Sequence, residues 1–209
     1  MKKMVLAALV AVASLTANAQ VWVGGEVGFS AGKTTYDGEK LGAGANFNLI
    51  PEIGYTLNDK FDVAIAIGIA HKNFNGEPYA GTANHDLVVT GIVEEFEMGS
   101  QNNNRNSLVI NPYIRYKFAK TGDFTFFVDG GFSYERIHYS KGFEGANNAT
   151  QWGLGIKPGI AYNLSDKVGL VAHVGDLSYN FFKMKDLKNN EFNMGLTGNN
   201  ITFGAYVNF

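Results

Sequence analysis

A chain of 209 residues, 45% of them apolar, is long enough for one β-domain of moderate size and too short to demand two. Its formal charge of −2 becomes −4 once Lys2 and Lys3 leave with the leader described below, which argues against nucleic acid or anionic lipid as the main partner. The absence of cysteine removes disulfides, thiolate metal sites and cysteine catalysis together, and no cofactor or metal is expected.

The chain opens with "MKKMVLAALVAVASLTANAQ": two lysines, an apolar run from Met4 to about Leu15, and Ala17 and Ala19 in the small-x-small arrangement cut by signal peptidase. Residues 1–19 are expected to be removed after Ala19, leaving 20–209 as one domain. The apolar run is shorter than the ~20 residues a membrane-spanning helix needs, and nothing downstream is long enough either. Period two dominates instead. The alternation predicts strands at about Val21–Ser30, Ala45–Leu57, Phe61–His71, Leu108–Phe118, Phe124–Glu135, Gln151–Leu164, Val168–Gly175 and Asn200–Phe209.

Three of the hairpins repeat one pattern: "PEIGYTL-NDK-FDVAI" at 51, "PYIRYKF-AKTGD-FTFFV" at 112 and "PGIAYNL-SDK-VGLVA" at 158. Their turns are short and rich in Asn, Asp, Ser, Lys and Gly, as tight hairpins require. The connections at about 31–44, 72–107, 136–150 and 176–199 are long, polar and rich in Gly and Asn, and are read as loops. Short and long connections alternate. Within the second long one, Asp86–Met98 has strand character; a single extra crossing there would break the in-out parity, so it is read as a β-extension above the membrane, with ten strands as the alternative.

One phase of these strands is uncharged and bulky, from Val21, Val23, Val27 and Phe29 to Phe203, Val207 and Phe209. The other carries Glu26, Asn48, Glu52, Asp62, Arg115, Lys117, Asp129, Glu135, Lys157 and His173 among small residues, with Phe127 and Val171 as exceptions. An eight-stranded barrel is only just wide enough to hold its own side chains, so the bulky phase cannot point inward. It must face lipid, and the charges must pair across a narrow lumen. Tyr55, Tyr116 and Tyr162 before the short turns, with Phe61, Phe118, Phe124 and Phe209, and Phe29, Tyr134 and Trp152 toward the long connections, suit two girdles at headgroup depth. Pro51, Pro112 and Pro158 are awkward in a closed sheet, and their repetition suggests a built-in bulge.

From residue 20 onward the chain resembles the small outer-membrane β-barrel family of Gram-negative bacteria, in the style common among Bacteroidota. The ending "TFGAYVNF" carries the resemblance furthest: Thr202, Gly204, Val207 and Phe209 match the signal by which that family's strands are recognised for barrel assembly. The resemblance implies an all-β, eight-stranded antiparallel up-and-down transmembrane barrel, with short periplasmic turns and long extracellular loops. It implies location in the outer membrane, lipid and lipopolysaccharide as surroundings, the barrel assembly machinery as a partner during biogenesis, and a monomer.

The family hosts several roles, so the fold does not name an activity. The expected one is structural or surface-interacting, through the extracellular loops, with the lumen plugged by Glu52, Asp62, Arg115, Lys117, Asp129, Glu135, Lys157 and His173. The alternatives are a narrow pore and a lipid-modifying hydrolase. His138 and Ser140 in "RIHYSKG", with Glu144 as the near acid, are that hydrolase's candidate residues. His85, Asp86, Glu94, Glu95 and Glu97 are read as solvated loop residues rather than metal ligands.

Overall fold

The structure, a computed structural model, describes residues 21–36, 39–76, 103–143, 146–195 and 201–209. The expected leader at 1–19 and the extension at 86–98 lie outside them. Ten strand segments follow one another: β1 (Val21–Tyr36), β2 (Glu39–Thr56), β3 (Phe61–Gly76), β4 (Asn103–Thr121), β5 (Phe124–Phe143), β6 (Ala146–Asn163), β7 (Val168–Val174), β8 (Asp176–Met184), β9 (Leu187–Gly195) and β10 (Ile201–Asn208). Each of β1 to β6 pairs antiparallel with the next, β6 pairs with both β7 and β8, β8 with β9, β7 with β10, and β10 with β1. Segments β7 and β8 are two halves of one stave, as are β9 and β10. The result is a closed barrel of eight antiparallel staves.

The seventh stave breaks at Gly175, whose φ of 70° is left-handed. Gly159 pairs with His173 and Ile156 with Leu177, so two residues of β6 face three of the seventh stave: a one-residue bulge. It lies beside Pro158, which has no N–H to give that neighbour. Pro51 and Pro112 follow the same logic. Each pairs with the strand behind it, to Gly25 and Ile65, while the ladder to the strand ahead has gaps at Ile50–Pro51 and Asn111–Pro112. The repeated proline therefore marks one ladder interruption in each of the second, fourth and sixth staves.

The turns at 57–60, 122–123 and 164–167 are tight as expected. Asn58 Oδ1 accepts from the Lys60 and Phe61 N–H groups, and Ser165 Oγ repeats this for Lys167 and Val168. The long connections differ from expectation. β1 and β2 continue to Tyr36 and Glu39, β5 and β6 to Phe143 and Ala146, and 176–195 is a β-hairpin turning at Lys185–Asp186 rather than a loop. Strand β5 has 20 residues, whereas a crossing takes about 9–11, so the sheet stands well clear of the membrane on this side. Polar side chains do not end a ladder whose backbone bonds are still paired; they only end the apolar face.

The bulky phase points outward. Val27, Phe29, Ile69, Ile114, Leu154 and Phe203 are among its exposed members, while Glu26, Asp62, Arg115, Asp129, Glu135 and His173 are buried in the bore. Along β5 the apolar outer face runs from Phe124 to Tyr134, roughly 33 Å of strand, or about 25 Å of height at a tilt near 40°. Rings pair at both rims: Phe61 with Tyr116 at 5.0 Å and Phe124 with Tyr162 at 4.7 Å by the short turns, Trp152 with Phe181 at 5.2 Å toward the other end.

Candidate functional site: the barrel interior

The inward phase begins, at the short-turn end, with aromatic rings. Trp22, Phe127, Val171 and Ala161 are buried there, and Tyr206 packs against this cluster. Three glycines make the room: a Cβ on Gly54 would enter the Trp22 ring, one on Gly159 the Phe127 ring, and one on Gly169 the Tyr206 ring. Tyr206 donates from its hydroxyl to Asn163 Oδ1 at 2.6 Å. Phe127 and Val171, the two apolar exceptions in the charged phase, are thus the floor of the lumen.

Above that floor lies a line of charge. Register sets Arg115 of β4 opposite Asp129 of β5, and the guanidinium donates twice, Nε to Oδ1 and Nη2 to Oδ2, at 2.8 Å each. Its flat face lies 4.0 Å from the Phe127 ring centre, with Trp22 and Tyr113 at 5.5 and 5.6 Å. His173 Nε2 is 2.9 Å from Asp129 Oδ2 and its Nδ1 3.4 Å from Glu26 Oε1, to whose same oxygen the Thr202 hydroxyl donates at 3.2 Å. The chain of contacts runs from β4 through β5, β7 and β1 to β10, crossing the bore. On either side, Lys117 meets Asp62 at 2.8 Å and Tyr113 donates to Glu52 at 2.7 Å. Lys157 lines a cavity of about 40 Å³ with Glu26, Glu52, Asp129 and Asp176, room for a few waters at most. Higher up, Arg105 pairs with Glu135 at 3.1 Å, and Ile137, Ala149 and Met184 form a further buried cluster.

The eight expected lumen charges stand in the inward phase, but in separate contact groups. Arg115, Asp129 and His173 form one cluster, Lys117 and Asp62 another, and Glu135 bonds to Arg105, within the stretch 72–107 that its composition marks as a loop. Arg105, Tyr113, Trp22 and Asp176 were missed. Tyr113 and Trp22 stand in the same alternate phase as Arg115 and Glu26, and parity alone could have found them. Asp176 lay beyond the bulge, where parity shifts.

His138 and Ser140 share an outer face but have different partners. His138 Nδ1 is 3.1 Å from Asn148 Oδ1, and Ser140 Oγ accepts from the Asn104 N–H at 3.3 Å. Glu144 and the acidic residues of 85–97 lie outside the described residues. At the C-terminus Thr202 points inward and Gly204 sits against Gly25 and Glu26, where a Cβ would lie 3.0 Å from the Gly25 carbonyl oxygen. Val207 and Phe209 point outward, and the Phe209 N–H donates to Val21 at 3.0 Å.

A closed eight-staved barrel, apolar without and charged within, is the architecture of an integral outer-membrane protein. The outer membrane protein beta-barrel domain family matches residues 4–209, and the chain belongs to that family and to the outer membrane. Among solved structures, the chain is similar to neisserial surface protein A at 16% identity and a TM-score of 0.50, covering 92% of this chain and 98% of that one. The N-terminal β-barrel domain of Pseudomonas aeruginosa OprF gives 14%, 0.43, 92% and 98%, and Ail of Yersinia pestis 13%, 0.35, 91% and 97%. No curated protein matches the sequence.

Proposed function

We propose that the chain is a non-enzymatic surface protein whose lumen is closed and whose barrel anchors outward-facing connections, after removal of residues 1–19. One observation supports this above the rest: rings and ion pairs from Trp22 and Phe127 to Arg115, Asp129 and His173 occupy the bore, beside a cavity of about 40 Å³. The charged residues Glu52, Asp62, Lys117, Glu135 and Lys157 then act as struts between staves rather than as an ion path. His138 and Ser140, the hydrolase candidates, are engaged separately, by Asn148 and by the Asn104 N–H. Lipopolysaccharide is the surrounding partner, the assembly machinery reads Thr202, Gly204, Val207 and Phe209, and the barrel is monomeric.

Planar-bilayer recording tests the reading. Wild-type protein is expected to give no stable conductance, and the Trp22→Ala/Phe127→Ala double variant to give small, noisy openings. Large steady steps from the wild type would overturn it.

A further inference from the structure

The cavity of about 40 Å³ in the bore is walled by more acid than base. Glu26 of β1, Glu52 of β2, Asp129 of β5 and Asp176 of β8 reach it from four staves, together with Lys157 of β6 and His173 of β7. Arg115 gives both of its guanidinium hydrogen bonds to Asp129, so that acid is matched. The other bases of the bore are matched elsewhere, Lys117 to Asp62 and Arg105 to Glu135. Glu26, Glu52 and Asp176 are left to Lys157 and His173, so the wall is short of positive charge by two when His173 is neutral and by one when it is protonated. A buried excess of that kind needs a counter-charge.

One oxygen shows where the shortfall lies. Glu26 is 8% exposed, and its Oε1 accepts from the Thr202 hydroxyl at 3.2 Å and lies 3.4 Å from His173 Nδ1. The buried Oε2 of this same cavity-lining carboxylate has no hydrogen-bond partner among the described residues. Water can donate to that oxygen but cannot supply the missing charge. A cation answers both. Among the described residues no three acid or imidazole groups converge as calcium or a transition metal requires. An alkali cation asks less: a carboxylate oxygen, the Asn111 side chain that also lines the cavity, and one or two waters.

We propose that the cavity holds one sodium-sized alkali cation as a structural ion, with Glu26 Oε2 as its anionic ligand and Glu52 and Asp176 as the surrounding charges. The ion ties the first stave to the second and seventh through charge, where the bore has no further base to do so. No linear motif announces the site, because its acids come from separate staves.

Refolded protein in zwitterionic micelles, melted in moderate urea and followed by tryptophan emission, tests it, with sodium chloride compared against choline chloride at equal total salt. Choline is too large for the cavity and controls for ionic strength. The wild type should melt about 3 °C higher in sodium at roughly ten times the dissociation constant, with a saturating dependence, and should broaden the sodium-23 resonance. Glu26→Gln keeps an oxygen for Thr202 but removes the charge, and should lose both the rise and the broadening. Asp176→Asn should lose most of the rise, and decides the matter if the first variant does not refold. Lys157→Gln deepens the deficit and should bind sodium at least about fivefold more tightly. Asp166→Asn, in an exposed turn, is the control and should respond as the wild type does. Equal melting of the wild type in the two salts, an undiminished rise in either acid variant, or weaker sodium binding by Lys157→Gln would each overturn the proposal. Closure of the bore is read separately, by conductance: steady current with an intact sodium response removes the closed lumen and leaves the ion site standing.

Discussion

Arg115 and Asp129, facing each other on β4 and β5, are joined by two parallel hydrogen bonds of 2.8 Å with the guanidinium lying on the Phe127 ring. The pair is buried, so removing one member leaves an uncompensated charge. Arg115→Ala is expected to cost about 3–5 kcal/mol of folding stability, while the paired change Arg115→Met/Asp129→Leu costs far less. Urea titration of vesicle-inserted protein, followed by tryptophan emission, measures both. A single-variant loss near zero would mean that the pair carries no weight.

Two glycines separate packing from backbone effects. Gly159 lies under the Phe127 ring and near the Ala172 carbonyl, whereas a Cβ on Gly130 meets nothing. Gly159→Ala should lose about 1–3 kcal/mol through overpacking, and Gly130→Ala should stay within about 0.5 kcal/mol of wild type. The same urea series reads the contrast, and equal effects would refute the description of the floor.

Tyr113 donates to Glu52 inside the bore at 2.7 Å. Tyr113→Phe keeps the ring beside Arg115 and removes only the hydroxyl, and leaving a buried acceptor without its donor costs about 1–3 kcal/mol. A loss in that range is expected in the thermal shift from the heat-modifiable gel band. Glu52→Gln in the Tyr113→Phe background should then add little.

Phe209 points outward and contributes a backbone bond to Val21 that any residue can make. If the terminal ring is read during assembly, Phe209→Ala will lower the amount of barrel in the outer membrane several-fold, while the refolded variant melts within about 1 kcal/mol of wild type. A large melting change with normal membrane yield would assign the ring to stability instead.

Sidedness and the three hairpins were legible because period two survives along most of the barrel wall, and because the bulky set could not fit inside a bore this narrow. Strand ends were not. Asn, Lys and Gly beyond Phe29 or Glu135 read as loop, yet the β1–β2 ladder continues to the pair Tyr36 and Glu39, since solvent-facing residues break the colour of the pattern without breaking its bonds. The Gly175 bulge hid Asp176 by moving parity one residue. Net charge was uninformative for a related reason: a sum over the chain cannot record that acids such as Glu26 and Asp129 face the bore while Arg136, Lys183 and Lys188 face out.

The seam at Trp22–Glu26 and Gly204–Asn208 joins the first strand described to the last. Such a seam has the longest contact separation among the described strands, and the entropy of bringing those segments together must be met before the ring gains its final ladder. Until β10 has been synthesised and exported, the cylinder has two raw margins, each able to pair with a neighbouring molecule. The interval between export and closure is therefore the period of greatest exposure to aggregation, and it ends in a single late event at the C-terminal tail.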